Sequence, residues 1–138
     1  MARLTRLTDL LNPDWGTHNG RYVLVGQTPV PEPNLMKWAF WFENSCRNDG
    51  RRVAKDELPG CVVSTVFLGL DHNFFGDGPP ILFETMVFAD AEAVDQYRCS
   101  TWAEAEAQHQ RVVAELKAKQ PKRRIRVLPQ KESDGAAD

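Results

Sequence analysis

Two apolar runs dominate the middle of the chain, and turn formers fill the space between them. Along 61–70, Val62, Val66, Leu68 and Leu70 point one way and Val63, Thr65 and Phe67 the other. Both faces are therefore apolar, the pattern of a central strand covered on both sides. Along 81–89, Ile81, Phe83, Val87 and Ala89 alternate with Leu82, Glu84, Met86 and Phe88, which predicts a second strand. The connection His72–Pro80 carries Gly76, Gly78, Pro79 and Pro80, so the two strands should pair antiparallel.

Outside this pair the pattern alternates between short strands and helices. Residues 3–11 predict a short helix with Leu4, Leu7, Leu10 and Leu11 on one side, stopped by Asn12-Pro13. Arg21–Val25 reads as a strand that runs into Gln27–Pro33, where three prolines predict an extended connection. Asn34 is the expected N-cap of a helix over 35–46. There Leu35, Trp38, Ala39, Phe42 and Cys46 share a face, with Phe40 and Trp41 outside it. Such wide apolar coverage predicts packing on more than one side, and the aromatic cluster points to a homo-oligomer. Arg51–Lys55 follows as a polar strand between the turns Asn48-Asp49-Gly50 and Leu58-Pro59-Gly60. Asp90–Asp95 reads as an acidic loop and Gln96–Cys99 as a short strand. Thr101 and Glu104 then make a capping box, opening a helix whose Trp102, Ala105, His109, Val112, Val113 and Leu116 share one face. Pro121 ends it, and Lys122–Leu128 reads as a last edge strand. The expected fold is α+β, an antiparallel sheet of three to five strands packed against two main helices. It is a single domain over 1–128, with a flexible polar tail at 129–138.

At 138 residues, 42% hydrophobic and 26% charged, the chain has the composition of an ordinary globular domain. It contains no run of about 18 apolar residues, and MARLTRLTDLLNPDWG lacks the pattern of a signal peptide, so no membrane role is expected. Cys46, Cys61 and Cys99 have no CxxC spacing and read as free thiols, while His18, His72 and His109 are too dispersed for a zinc motif. No metal or cofactor is implied. The formal net charge of −2 hides a basic run, KAKQPKRRIR at 117–126. That run has no recognition-helix pattern, so direct DNA binding is not expected.

Three places could carry chemistry. The hairpin end joins Asp71-His72-Asn73 to a glycine- and proline-rich return, and loops on a rigid sheet often hold function. Glu84 interrupts an apolar strand, where a buried carboxylate must be paired; Arg51, Arg52, Arg98 and His109 are its candidate partners. His109 sits in the middle of an apolar helix face, and a meeting with Glu84 would favour binding or pH sensing. The chain has no nucleophile elbow, phosphate loop or metalloprotease motif.

The segments RYVLVGQTPVPEP, MKWAFWFEN, RRVA, STVFLGLDHNFFGDGPPILFETMVFAD and CSTWAEAEAQH together resemble a family of small proteins encoded by tailed phages and prophages, roughly over residues 21–113. The resemblance implies an accessory protein acting in the host cytoplasm or within the virion. The leading expectation is a non-catalytic antagonist of host defence. It would block a host protein, as anti-CRISPR proteins do, or sequester an anionic nucleotide signal. For the nucleotide, Arg51, Arg52 and Arg98 would hold phosphates and Trp41, Trp38 or Phe74 would stack on the base. Asp71, His72, Asn73, Glu84 and His109 complete the candidate ligand-binding set. A virion structural or assembly component is the alternative, and a small hydrolase or nucleotide-modifying enzyme using Asp71, His72 and Glu84 is a further one. The longer hairpin end at 73–78 and the basic extension beyond 117 depart from the family's usual form.

Overall fold

A computed structural model of the chain describes residues 20–74 and 78–120. Within them the elements run β1 Tyr22–Val25, β2 Thr28–Pro31, α1 Leu35–Arg47, β3 Arg52–Leu58, β4 Cys61–Phe67, β5 Phe83–Ala89, β6 Glu92–Cys99 and α2 Trp102–Lys119. The expected helix at 3–11, the edge strand at 122–128, the tail and the loop tip at 75–77 lie outside the described residues, as does most of the basic run. The result is an α+β domain with a four-stranded antiparallel sheet in the order β3-β4-β5-β6 and a separate β1-β2 hairpin.

The central pair forms as its period-2 pattern demands, with Val63 opposite Val87, Thr65 opposite Thr85 and Phe67 opposite Phe83. These six point to the inner face, where α2 lays Ala105, His109, Val112 and Val113 over them. Val63, Thr65, Phe67, Phe83 and Thr85 are each 0% exposed. Burial of a side chain the size of Phe67 stabilises the fold by about 1.5–3 kcal/mol. The opposite face is different. Val62, Ser64, Val66, Met86 and Phe88 are only half-buried, and among the described residues no helix packs over them. Among the described residues, the expected cover on both sides of the sheet is thus present on one face only, and the other is called the open face below.

Three further expectations change. Residues 28–31 are a strand rather than a bare connection: Pro29 and Pro31 pair with Leu24 and Tyr22 across a tight hairpin. Proline is tolerated there because β2 is an edge, where its missing N–H is not needed. Residues 92–95 belong to β6 rather than to a loop. Asp90 and Ala91 take positive φ values of 52° and 64°, making the two-residue turn that right-twisted hairpins favour, and the acidic residues simply continue the exposed strand. Finally, α1 is rotated relative to its predicted face. Trp38, Trp41 and Ser45 turn inward, with Trp41 edge-on to Phe67 at 5.8 Å, whereas Leu35 and Cys46 are exposed. Met36 and Phe40 are left at 75% and 70% exposure.

Both helices begin as their caps prescribe. Asn34 Oδ1 accepts from Lys37 N at 3.0 Å, and Thr101 Oγ1 accepts from Glu104 N at 3.1 Å while donating to the Glu104 carboxylate. Gly69, at φ +77°, lets the chain leave β4 directly beneath α1; a Cβ there would meet the Phe42 ring at 3.2 Å.

Candidate functional site

On the open face the strand registers align Arg52, Val66, Glu84 and Arg98 in one row across all four strands. Glu84 accepts from Arg98 Nε at 2.9 Å and is 8% exposed, which satisfies the carboxylate that interrupts the apolar strand. Arg52 donates to Ser64 Oγ at 2.7 Å and pairs with Asp49 at 3.3 Å. The next positions along the face are Ser64 beside Met86 and Val62 beside Phe88. This surface therefore combines a charged row with an apolar field, and three of the expected site residues stand on it.

Asp71, His72 and Asn73 meet at the base of the β4–β5 connection. Asp71 Oδ1 accepts from the backbone N–H groups of Asn73 at 2.8 Å and Ile81 at 2.9 Å, tying the two sides of the loop together. His72 Nδ1 lies 2.8 Å from the Leu70 carbonyl, which only accepts, so the ring donates from Nδ1. Asn73 donates to the Pro79 carbonyl at 3.0 Å. These bonds build the turn. Among the described residues none of them joins Asp71 or His72 to Glu84, so the three residues do not form one acid–base group.

Arg51 is separate again. Its guanidinium lies 4.1 Å above the Phe42 ring and donates to the Phe67 carbonyl at 3.2 Å and to Cys46 Sγ at 3.4 Å. Among the described residues no carboxylate pairs with it. Trp38 donates from Nε1 to the carbonyls of Tyr22 and Gly69, at 3.1 and 3.0 Å, and is therefore a structural strut. Phe74 is 78% exposed beside His72, with ring centroids 5.7 Å apart.

His109 does not meet Glu84, because they occupy opposite faces of the sheet. Its partners are residues that sequence reasoning missed. Nε2 lies 2.6 Å from Asp56 Oδ2 and Nδ1 lies 2.7 Å from Thr65 Oγ1. Thr65 in turn lies 2.7 Å from Thr85 Oγ1, and Thr85 is 3.3 Å from Gln108 Oε1. Carboxylate, imidazole and hydroxyl stand in the order of a catalytic triad. The hydroxyl, however, is 0% exposed beneath α2 and backed by a second threonine, so no substrate reaches it. The array is a buried polar clasp joining β3, β4, β5 and α2. Its sequence signals are His109 on an otherwise apolar helix face and two threonines at inward positions of the central strands.

Four ionisable groups, Tyr22, Asp95, Tyr97 and Cys99, are shifted by these surroundings. Burial, reinforced by the Asp71 charge, pushes the Tyr22 phenol up to about 12. Burial and then Glu104 push the Cys99 thiol up to about 11. The Tyr97 hydroxyl, donating at 2.6 Å, and the Gln96 N–H hold the exposed Asp95 carboxyl below its usual range. Among the described residues no group of three or more His, Cys, Asp or Glu side chains is arranged to hold a metal ion, and no helix is long and apolar enough to cross a membrane.

No family model, curated protein or solved structure matches the chain.

Proposed function

We propose that this chain is a non-catalytic binding protein and that the open face of its four-stranded sheet is the surface that recognises a partner protein. The observation that carries this reading is that face itself: Val62, Val66, Met86 and Phe88 stand half-exposed around the Arg52–Glu84–Arg98 row. A half-exposed apolar field bounded by arginines has the makeup of an interface core and its rim. The resemblance to small tailed-phage proteins supplies the class of partner, a component of host defence. Sequestration of a nucleotide within one protomer is less well supported. Arg52 and Arg98 are three strand spacings apart, about 14 Å, with the Glu84 carboxylate between them.

The Arg51 cation on Phe42, which no carboxylate pairs among the described residues, favours a second reading, in which an anionic nucleotide binds at that end of the sheet. One pair of experiments separates the two. A thermal-shift panel of cyclic and linear nucleotides should be flat, whereas a bound ligand at about 100 times its dissociation constant would add roughly 2.7 kcal/mol and raise the melting temperature. Capture from a bacterial host lysate should recover one partner with the native chain and lose it with Met86→Glu, whose melting temperature stays near native. A nucleotide that stabilises the protein, and stops doing so in Arg51→Ala, would replace the first reading by the second. A captured partner retained by Met86→Glu would move the interface off this face.

A further inference from the structure

The open face carries a pattern that narrows what it can recognise. Its apolar residues stand on the two central strands, Val62 and Val66 on β4 and Met86 and Phe88 on β5. The strands on either side turn charge to the same face, Arg52, Lys55 and Glu57 on β3 and Arg98 on β6. The apolar field is therefore two strands wide and bordered by charge.

That width distinguishes between occupants. Neighbouring strands lie about 4.8 Å apart, so two of them make a strip about 10 Å across. An α-helix with its side chains is about 10–12 Å thick. A second sheet would be wider than the strip. It would take Arg52, Lys55, Glu57 and Arg98 out of water along with the apolar residues, at several kcal/mol for each ion left without a new partner. The length agrees as well. Val62 and Val66 are four residues apart. That is about 13 Å along the strand, which about nine residues of helix span. The covered face shows the same fit, because α2 alone lays Ala105, Val112 and Val113 along the inner sides of β4 and β5.

Charge sets the flanks. Glu84 is 8% exposed and held by Arg98, so it presents little to a partner. Of the border groups, Arg52, Lys55 and Arg98 are cations and Glu57 is an acid. We infer that the open face receives one amphipathic helix of a partner protein, laid along β4 and β5, whose apolar stripe is flanked by acidic residues. Those residues would stand beside cations on both borders, and complementary borders fix the register of a contact and exclude wrong partners. The inference rests on the reading of this face as the recognition surface and adds the shape and charge of what it recognises.

The test uses the full chain with carbon-13 in its methionine methyl groups. Met86 lies on the face, and Met36, exposed on α1, is the internal control. Three blocked peptides of about 18 residues, long enough to form a helix, are each taken into the millimolar range. The first has leucines at helical spacing flanked by glutamates, and the second has lysines in place of the glutamates. The third has the first peptide's composition in an order that breaks the stripe. The inference predicts a saturable shift of the Met86 signal with the first peptide while Met36 stays in place. Binding should be about tenfold weaker with the second and absent with the third. In Lys55→Glu, where the ion pair with Glu57 is 3.8 Å long, the preference between the first two should narrow about threefold. A Met86 signal silent to all three peptides overturns the inference, as does equal binding of the first two or a response to the third. A signal that moves with protein concentration alone gives the face to a second copy, and one that moves in Leu7→Glu without peptide gives it to residues 3–11. Either overturns the inference too. Where the peptides fail and a photoreactive residue at position 86 still joins one protein of a host lysate, the helix is wrong and the face is right. Where both fail, the reading of the face falls as well.

Discussion

Replacing Thr65 by valine removes one oxygen atom from the centre of the buried clasp and almost nothing else. The two side chains have nearly the same shape, so no cavity term enters and the effect reports the hydroxyl alone. In the native protein that hydroxyl lies 2.7 Å from both His109 Nδ1 and Thr85 Oγ1. His109 is 2% exposed, so its Nδ1 would have neither protein partner nor water in the variant. Thr85 would keep only the longer approach to Gln108 at 3.3 Å. A buried polar group left without a partner costs about 1–3 kcal/mol. For a domain of this size that is a fall in melting temperature of roughly 5–10 °C. Asp56→Ala provides the internal comparison. The Asp56 side chain is 50% exposed, so water can reach the position it vacates and take the His109 Nε2 hydrogen bond. The account predicts a smaller loss there, about 1 kcal/mol or less. Thermal denaturation of the two variants beside the native chain measures both. A Thr65→Val protein as stable as the native one, or a larger loss for Asp56→Ala than for Thr65→Val, would refute the view that the clasp is a satisfied network closed from above by α2.

Other consequences follow from Tyr22, Cys99 and Gly69. The Tyr22 phenol, at about 12 in the fold against 10.0 when unperturbed, stabilises the native state fully below pH 10 and loses that contribution as pH rises through 12. Alkaline unfolding followed by circular dichroism should show this slope, and Tyr22→Phe should flatten it. The Cys99 thiol, pushed to about 11 by burial and Glu104, should alkylate far more slowly near neutral pH than the exposed Cys46, as peptide mapping after iodoacetamide would read. Gly69→Ala should cost about 1–3 kcal/mol in a chemical denaturation curve, because the residue sits at φ +77° and its new Cβ would press on the Phe42 ring at 3.2 Å.

The sequence is most informative where local periodicity and burial agree. The β4 and β5 strands, both helix caps and the inward stripe of α2 are all legible because each rests on neighbours a few residues away. Glu84 is legible too, since a carboxylate in an apolar strand demands a cation, and Arg98 was among those available. What was hidden depends on long-range placement. Asp56 lies 53 residues from His109, in a polar stretch that gives no sign of pointing inward. The phase of α1 is ambiguous in the sequence because Leu35, Met36, Trp38, Phe40, Trp41 and Phe42 spread apolar side chains around its first two turns; contacts with Phe67 and Gly69 choose it instead. Prolines masked β2 and acids masked β6, since both strands lie at sheet edges where burial does not dictate composition. The open face was concealed by the same two-sided apolar pattern that announced β4. Such a pattern records that a face is apolar, and not what covers it.

Site-specific photo-crosslinking can show whether the open sheet face is where a partner binds. A photoreactive amino acid replaces Met86 on the open sheet face in one protein and Ala114 on the exposed side of α2 in another, and each is irradiated in a bacterial host lysate. The account predicts one partner protein joined through position 86 and absent from position 114, with the joined product suppressed by excess native chain. Crosslinking through position 114 alone, or equally through both positions, would contradict the assignment of the open face as the recognition surface.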